Sequence, residues 1–449
     1  MLRMLVQALP YALAVLSLGL SSLLFYRIRS FAGLALWPLK ILAGSLAGFL
    51  LVGGVLGAAL GLRFRAPLAA IAGAAGASLS ALYLWRIATF MRALGGEPRG
   101  SGATELGLAA SRPRWERDVP FWHLPAGHAP LLCDLWQPPE GVPPTGLAFV
   151  YLHSSSWHLA DKDLWTRPLF RHLAAQGHVV MDVAYRLCPE VDLWGMLGDA
   201  RRAIAWMKAH ARRYGADPAR VVVAGASAGG HLALLAAYTA GHPELVVEDL
   251  RGVDTSVQAV VSFYGLADMR AFYRCAEAIL PGPQFLAGLA SSPLLGVVTS
   301  IARAVPGRPF AGQVGRLGCL SAPGIAANLL GGQPHQVPAL YDLASPITHA
   351  GPHCPPTLLI QGEHDAAVPV AATHALYQKL VAAGVPAVNV VLPHTDHLFD
   401  LVLPQISPPA RVARAELDRF LAWVAGTDLA DCRRVRRDEA CTQSADSSP

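Results

Sequence analysis

One stretch near the middle of the chain limits most strongly what it can fold into. Residues 221–226 form a short apolar run that starts with three valines, and a helical pattern follows from His231. Between them, Gly225, Ser227 and Gly229 form a Gly-x-Ser-x-Gly sequence. A strand, a tight turn and a helix in this order are typical of a nucleophile elbow, which exposes a serine hydroxyl above a sheet. We interpret Ser227 as a nucleophile; a glycine- and alanine-rich turn without a chemical role is the alternative.

The composition indicates that part of the chain lies in lipid. Charged residues make up 15% of the 449 positions and the mean hydropathy is +0.37, whereas ordinary soluble domains contain about 25% charged residues. A chain of this length is also expected to contain more than one module. The net charge of +5, with scattered arginines, argues against a nucleic-acid partner. Seven cysteines without a Cys-x-x-Cys spacing argue against a disulfide framework or a zinc site.

Residues 1–92 are predicted to form a module of three transmembrane helices. The apolar segments 5–26, 41–62 and 66–85 have about the 20 residues needed to cross a bilayer, and they contain no Asp, Glu, Lys or Arg. A cleaved signal peptide is the alternative for the first segment. No Ala-x-Ala-like cleavage site follows it and two further apolar segments do, so a retained helix is expected.

Small residues and positive charges indicate how these helices pack and point. Gly44 and Gly48, and likewise Gly53 and Gly57, have the four-residue spacing that lets helix backbones pack closely.

The orientation of the helices in the membrane follows from the positive charges, because loops rich in Lys and Arg stay in the cytoplasm. One side carries Arg27, Arg29, Lys40, Arg86, Arg92 and Arg99, and the other carries Arg3, Arg63 and Arg65. This bias predicts an integral, multi-pass membrane protein whose C-terminal domain is cytoplasmic. The alternative, with a re-entrant middle segment or only two spans, places that domain on the other side of the membrane.

The rest of the chain is predicted to contain a linker, one large domain and a tail. Residues 93–114 are rich in Gly and Pro and are interpreted as a linker. Residues 115–428 form the domain, and 266–350 are interpreted as a mobile cap within it. The apolar run 285–305 is assigned to this cap rather than to a membrane helix, because it contains proline and arginine. Residues 429–449 are expected to be disordered.

Apolar strand-like runs alternate with helical patterns through the large domain. This alternation predicts an α/β fold with a mostly parallel sheet and helices on both faces. A helix is predicted over 199–214, before the elbow strand at Val221. The other predicted strands are 131–136, 147–152, 179–185, 259–264, 357–361 and 388–392.

Two late loops supply candidate partners for the serine. A serine hydroxyl needs a base that takes its proton and an acid that orients the base. In this architecture the chain order is serine, then acid, then histidine. Asp365 is our choice for the acid and His397 for the base, with Glu363 and His394 as the alternatives. The acids and histidines of 394–400 resemble metal ligands only superficially, since no matching set lies upstream, so no metal or other cofactor is expected.

An oxyanion hole is expected next to the nucleophile. One donor is the backbone N–H of Ala228, which follows the serine at a helix N-terminus, where partial positive charge accumulates. The other donors are expected in the loop 151–158 after an early strand; a serine-rich loop with ordinary hydroxyl caps is the alternative.

Together these pieces resemble a known family. Residues 115–425 resemble the α/β-hydrolase superfamily, in particular the hormone-sensitive-lipase-like carboxylesterases and the isoprenylcysteine methylesterases, which also combine membrane spans with such a domain. The matching segments are the loop 153–157, the stretch 182–190 with its Asp-x-x-Tyr-Arg-Leu-Cys-Pro-Glu sequence, the elbow 225–230, Asp365 with Val368 and Pro369, and His397 with Phe399. The resemblance implies the α/β-hydrolase fold and a catalytic triad of Ser227, Asp365 and His397.

The chain departs from this family at the oxyanion loop. The resemblance implies donors at Ser154 and Ser155, but the family sequence is His-Gly-Gly-Gly, and the serines at 154–156 replace the glycines. A serine at positive φ costs on the order of 1 kcal/mol or more. Backbone N–H donors survive any side chain, so an altered oxyanion hole is expected rather than none.

Other residues of the matching segments are interpreted as structural. We expect a buried ion pair between Arg186 and Glu190 that braces the loop beside the elbow. His231 and Asp199 are interpreted as packing and helix-end residues. Trp157 either lines the acyl pocket or fills the core.

These features predict a membrane-anchored serine carboxylesterase or lipase that hydrolyses a hydrophobic ester through an acyl-enzyme on Ser227. The expected partners are a small-molecule or lipid ester and membrane lipids, without nucleic acid. An amidase or peptidase on the same triad is one alternative. A non-catalytic membrane protein on a hydrolase scaffold is the other, and it would explain the serine-rich loop.

Overall fold

The structure, a computed structural model, covers most of both predicted modules. It describes residues 2–96, 112–125, 129–280 and 321–426, with side chains from residue 8 onward. Most of the predicted linker 93–114, the run 285–305 of the predicted cap and the predicted tail 429–449 lie outside the described residues.

An eight-stranded sheet forms the centre of the described part of the chain. Its strands are β1 (Arg114–Trp122), β2 (Leu131–Gln137), β3 (Gly146–Leu152), β4 (Val179–Val183), β5 (Ala216–Ala226), β6 (Ala259–Phe263), β7 (Thr357–Gly362) and β8 (Ala387–Leu392). They lie in the order β1-β2-β4-β3-β5-β6-β7-β8. β2 pairs antiparallel with β1 and β4, and all other neighbours are parallel. The predicted mostly parallel sheet is confirmed.

Five of the described helices precede the first strand in the chain, and the others lie between the strands or after the last one. They are α1 (Leu2–Phe25), α2 (Phe31–Leu34), α3 (Trp37–Ser45), α4 (Ala47–Arg63), α5 (Pro67–Ala93), α6 (Arg167–Ala175), α7 (Leu193–His210), α8 (Ala228–Tyr238), α9 (Met269–Ile279), α10 (Ala322–Leu330), α11 (Pro338–Leu343), α12 (Pro346–His349), α13 (Val370–Ala382) and α14 (Pro408–Gly426).

The central strands are apolar on both faces, and each face builds its own core. Successive residues of a strand point to opposite sides. In β3, Ala148 and Val150 belong to one apolar cluster with residues of α7, α8 and α13, whereas Leu147 and Phe149 belong to another with residues of α6 and α14. The second core also includes residues of the N-terminal helices, among them Tyr83. The predicted helical layers on both faces are therefore present, and the N-terminal module shares a core with the large domain.

The N-terminal helices differ from the prediction in the middle segment. Residues 8–25 of α1, and the whole of α5, are long and apolar enough to cross a membrane. The predicted span 41–62 is not one helix, because the chain breaks at Leu46 and α3 meets α4 at an angle of 83°. Ser45 Oγ donates to the Val402 oxygen at 2.7 Å, which binds the end of α3 to the large domain.

Close helix packing on α4 involves one predicted glycine and one that was not predicted: a Cβ on Gly57 would lie 3.0 Å from the Ala14 nitrogen of α1. A Cβ on Gly54 would lie 2.6 Å from Ser17 Oγ of α1 and 2.7 Å from the Ala77 nitrogen of α5. At Gly48 and Gly53 a Cβ would have no described atom within 4 Å. The predicted close packing is therefore found at Gly57 and not at Gly48 or Gly53, which lie on a side of the helix that none of the described residues approaches.

β1 is the one strand that the sequence pattern does not reveal. Its sequence mixes four charged residues with aromatic ones, and its residues are mostly exposed or half-buried. An edge strand whose residues are mostly exposed or half-buried shows little apolar alternation to detect. Its pairing with β2 comes from the tertiary structure, not from a local signal.

One added methyl group at Gly54 is expected to destabilise the helical module, and the same change at Gly53 is not. Gly54→Ala places a Cβ against Ser17 and Ala77, and overpacking of this kind costs about 1–3 kcal/mol. Gly53→Ala gains the same helix propensity but faces open space. Thermal unfolding of both variants in detergent, followed by helical circular dichroism, should give a lower Tm for G54A alone. Equal Tm values for the two variants would contradict this packing.

Candidate active site

Ser227 lies at a turn whose backbone conformation is unusual for a residue with a side chain. Its φ is 54° and its ψ is −120°, between the end of β5 and the start of α8. A Cβ on Gly225 would lie 2.3 Å from the Gly229 oxygen, and one on Gly229 would lie 2.0 Å from the Leu152 oxygen. Residues in such conformations cost of order 1–3 kcal/mol and persist only where the surroundings hold them. Here the Ser227 N–H donates to the Phe263 oxygen at 2.9 Å, so β6 holds the turn.

Ser227, His397 and Asp365 form a continuous hydrogen-bonded chain. Ser227 Oγ lies 2.9 Å from His397 Nε2, and His397 Nδ1 lies 2.9 Å from Asp365 Oδ2. A carboxylate only accepts hydrogen bonds, so Nδ1 carries the proton and Nε2 accepts the serine hydroxyl. The serine is 8% exposed and His397 is 3% exposed. The structure thus brings together the three residues that the sequence suggested as nucleophile, base and acid.

The Asp365 carboxylate is held by its own turn. Oδ1 accepts the backbone N–H of Ala367 at 2.9 Å and of Val368 at 2.8 Å. Oδ2 accepts the Gln361 amide at 3.2 Å in addition to the imidazole of His397. A carboxyl group buried away from water needs such donors to replace the lost hydrogen bonds to solvent. These contacts fix the direction from which Asp365 meets the imidazole.

Aromatic side chains from two other parts of the chain face the imidazole. The Tyr264 ring follows β6 and lies 4.4 Å from the His397 ring, centroid to centroid. Its hydroxyl donates to Asp400 Oδ1 at 2.5 Å, and burial raises the pKa of Asp400 to about 6. Trp37, the first residue of α3, lies 6.3 Å from the His397 ring. The N-terminal module therefore supplies part of the wall around the histidine.

The serine-rich loop after β3 is ordered by its own hydroxyl groups. Ser155 Oγ accepts the backbone N–H of Trp157 at 2.9 Å and lies 2.7 Å from the Tyr185 hydroxyl. Tyr185 in turn donates to the His153 oxygen at 2.7 Å. Positive φ values fall on Ser156 and Trp157, at 47° and 61°, and not on the residues predicted as oxyanion donors. The strain of replacing glycine with serine is therefore confined to one exposed serine at the end of the loop.

The predicted oxyanion donors lie around the elbow. Ala228 is the first residue of α8, directly after the serine. Ser154 and Ser155 follow β3, whose last residue, Leu152, is the backbone that Gly229 approaches most closely. The loop thus starts beside the nucleophile, as an oxyanion loop requires.

The two alternative residues are held away from the serine by other partners. Glu363 accepts the backbone N–H of His394 at 2.9 Å and a guanidinium N–H of Arg27 at 3.1 Å. The His394 ring contacts Arg86 at 2.9 Å and lies 4.7 Å from the Phe25 ring. Neither residue bonds to the triad, and both face the N-terminal helices.

The predicted pair of Arg186 and Glu190 is wrong. Glu190 is exposed, whereas Arg186 makes two hydrogen bonds to Asp199, at 2.8 and 2.7 Å. Asp199 lies inside α7 rather than at its end, and its carboxylate is fully buried. A buried carboxylate needs compensating donors, and Arg202 supplies a further one at 2.9 Å. The loop beside the elbow is therefore braced against α7.

His231 and Trp157 lie in the core. His231 is fully buried, its Nε2 lies 2.7 Å from the Ala344 oxygen, and burial lowers its pKa to about 4. Trp157 packs edge-on against His231 and against Phe272 of α9. The alternative in which Trp157 fills the core is the one that the structure supports.

Two residues that the sequence did not connect with chemistry lie next to the triad. Asp396 was considered only as one of the acids and histidines of 394–400 that superficially resemble metal ligands, and Lys40 only as a charge that orients the helices. Their side chains form an ion pair at 2.8 Å, buried beside His397. One sequence feature could have indicated this pair: a single lysine lies at the edge of an apolar segment. A lysine is costly to bury without a partner, so an acidic partner could have been expected.

The chain is similar to known proteins over this region. The BD-FAE family matches residues 133–293 and 321–380. The "Probable carboxylic ester hydrolase LipM" of Mycobacterium tuberculosis is 32% identical over 302 residues, which cover 66% of this chain and 59% of that protein. "Esterase LipQ" of the same organism is 28% identical over 63% of this chain and 57% of that protein. The chain thus spans less than two thirds of the length of these two relatives.

A solved structure supports the fold independently. The "Bifunctional GH43-CE" protein of Bacteroides eggerthii superposes with a TM-score of 0.51 at 20% identity, over 70% of this chain and 35% of that chain. At this identity the likeness concerns the fold alone. The sheet order and the elbow are those of an α/β-hydrolase fold, and over this region the chain is similar to the BD-FAE family and to mycobacterial esterases.

Proposed function

We propose that the chain is a membrane-anchored serine carboxylesterase or lipase that cleaves a hydrophobic carboxylic ester. The observation that carries this proposal is the chain of two 2.9 Å hydrogen bonds from Ser227 through His397 to Asp365. The names of the two mycobacterial relatives, a carboxylic ester hydrolase and an esterase, support the same reaction type.

In the first half of the reaction, His397 takes the proton of Ser227 as the serine oxygen attacks the ester carbonyl carbon. The new C–O bond turns the carbonyl into a tetrahedral oxyanion. Asp365 stabilises the imidazolium through Nδ1–H and keeps Nε2 directed at the serine. The imidazolium then passes its proton to the leaving alkoxide, the C–O bond to that oxygen breaks, and the acyl group remains on Ser227 as an ester.

In the second half, water replaces the alcohol. His397 takes a proton from the water as its oxygen attacks the acyl carbon, and a second tetrahedral oxyanion forms. Its collapse returns the proton to Ser227 and releases the carboxylic acid. The backbone N–H groups of Ala228, Ser154 and Ser155 are proposed to donate to both oxyanions. These steps use only side chains, backbone donors and water, so no metal or organic cofactor takes part.

The proposed anchor consists of residues 1–92, with the hydrolase domain at 115–428. Support comes from the length and apolar character of α1 and α5 and from the bent pair of α3 and α4. Arg27 and Arg86, after α1 and late in α5, contact the loops that follow β7 and β8. With α4 as a third span, these contacts are consistent with a hydrolase domain on the more positively charged, cytoplasmic side.

The apolar surroundings of the triad favour a substrate that partitions into membranes. Trp37 faces the catalytic imidazole at 6.3 Å, and Leu36 and Leu39 beside it are 38% and 45% exposed. A tryptophan at the boundary between protein and lipid is typical of a membrane interface. An ester with a long acyl or alcohol chain would keep that chain in lipid while its carbonyl reaches Ser227.

Ser227→Ala is expected to abolish ester cleavage without loss of the fold. The variant removes the only oxygen that the proposal allows to attack the carbonyl, and alanine adds no steric demand. Detergent-purified protein should hydrolyse p-nitrophenyl esters, with a preference for medium or long acyl chains. A fluorophosphonate probe should label the wild type at Ser227 and leave S227A unlabelled. The Tm of the two proteins should agree.

The same assay separates the proposal from its two alternatives. Cleavage of amide but not ester substrates, with normal probe labelling, would indicate an amidase or peptidase on the same triad. Folded protein that neither cleaves esters nor reacts with the probe would indicate a non-catalytic hydrolase-like membrane protein.

Paired substitutions test the choice of acid and base. Asp365→Asn is expected to lower kcat on the order of 10⁴-fold, because the imidazole loses the partner that fixes its tautomer. Glu363→Gln is the matched control in the same loop, and it should leave kcat within a few-fold of the wild type. His397→Gln and His394→Gln form the second pair, with the loss confined to the former. A loss in E363Q as large as that in D365N, or in H394Q as large as that in H397Q, would contradict this choice of acid and base.

A further inference from the structure

Lys40 is a buried cation supplied by the helical module. Nζ lies 2.8 Å from Asp396 Oδ2, and the side chains of Lys40 and Asp396 are 3% and 2% exposed. Nζ also lies 3.4 Å from His364 Nδ1. Burial, followed by the Lys40 charge, lowers the pKa of His364 to about 3, so the imidazole is neutral and accepts from the ammonium group. A buried lysine is costly unless it is paired, so this contact fixes α3 against the hydrolase domain.

Asp396 connects the two loops that carry the catalytic acid and base. Its Oδ1 accepts the backbone N–H of Ala366 at 3.0 Å and of His397 at 2.8 Å. Ala366 directly follows Asp365, and His397 is the base itself. One carboxylate group therefore ties the acid turn to the base turn, and its other oxygen is neutralised by Lys40.

Further contacts of the helical module converge on the same two loops. Glu363, His364 and His394 place their ligand atoms within 4.8 Å of one another, a grouping that a metal ion could use. Each already faces a cationic side chain: Arg27 at 3.1 Å from Glu363, Lys40 from His364, and Arg86 at 2.9 Å from His394. Three positive groups disfavour a metal ion here. The cluster is the docking contact between the helices and the catalytic loops.

We propose that Lys40 is a positioning residue for the triad: through Asp396 it sets the spacing of the acid and base loops, so the helical module completes the active site as well as anchoring it. This inference rests on the proposed hydrolase function. It assigns to α3 a role in turnover that an anchor alone does not have.

The charges around the imidazole determine what the substitutions should do. The groups that face His397 are Asp365 from the acid loop, Asp396 and Asp400 from its own loop, and Tyr264 after β6. Lys40 stands behind Asp396, with Arg27 and His364 on its far side. Removal of Lys40 alone leaves a negative charge beside the imidazole, which favours imidazolium. Removal of Asp396 alone leaves a positive charge, which disfavours it.

The test measures kcat, KM and the pH profile of kcat/KM for the full chain in detergent, with a p-nitrophenyl ester. Lys40→Met is expected to lower kcat on the order of 10²-fold, as a misplacement of about 1 Å would, with KM nearly unchanged. The acid limb of its profile should move to higher pH. Asp396→Asn should also lower kcat, but with the limb at lower pH. Lys40→Arg, which keeps the charge, should recover much of kcat.

Two further variants keep the proposal falsifiable. Arg29→Met removes an exposed positive charge from the same segment and should behave as the wild type. The double variant K40M/D396N removes the buried charges together and should fold even if K40M does not; its kcat should stay low while its acid limb returns to the wild-type position. Normal kcat in K40M, or in the folded double variant, would overturn the positioning role. Absence of ester cleavage in the wild type would instead contradict the proposed function.

Discussion

A serine hydroxyl can meet the imidazole of a distant loop only if the backbone turns sharply at the serine. At Ser227 this turn has a positive φ. The space between β5 and α8 has no room for a Cβ at positions 225 and 229, so the turn is possible because both residues are glycines. The same close approach presses Gly229 against the end of β3 at Leu152. The loop that follows β3 therefore starts beside the nucleophile. One steric constraint thus determines both the direction of the hydroxyl and the position of the proposed oxyanion donors.

Two buried carboxylates, Asp365 and Asp396, obtain the hydrogen-bond donors and charge partners that burial requires in different ways. Asp365 is satisfied by backbone N–H groups of its own turn and by Gln361, so it needs no cation. Asp396 accepts N–H groups from two different turns and is paired with Lys40 from α3. The acid of the triad is therefore held by local structure, whereas the relation between acid and base depends on a contact more than 300 residues apart in sequence.

Short-range sequence patterns were sufficient to predict the elements whose structure depends mainly on neighbouring residues. The elbow strand, its glycines and the late loops with Asp365 and His397 follow from short-range spacing and from the order of strands. The failures involve contacts between distant segments. Arg186 has Glu190 within reach in sequence but pairs with Asp199, because that carboxylate is buried and requires donors. The sequence could not say which serine of the loop adopts a positive φ. The positive values fall on Ser156 and Trp157, while Ser155 and Tyr185 order the first half of the loop.

Lys40 shows why a sequence does not reveal whether a positive charge orients a membrane helix, forms a buried ion pair, or does both. If residues 1–92 form the proposed anchor, they insert before the large domain folds, and Arg27, Lys40 and Arg86 then act as positive charges that favour retention on the cytoplasmic side. After folding, Lys40 is buried against Asp396, while Arg27 and Arg86 contact Glu363 and His394. In the proposed orientation the same charges first keep these helix ends on the side where the hydrolase domain folds, and then bind that domain. A sequence count of positive charges registers only the first role, because the acids that complete the second lie beyond residue 360.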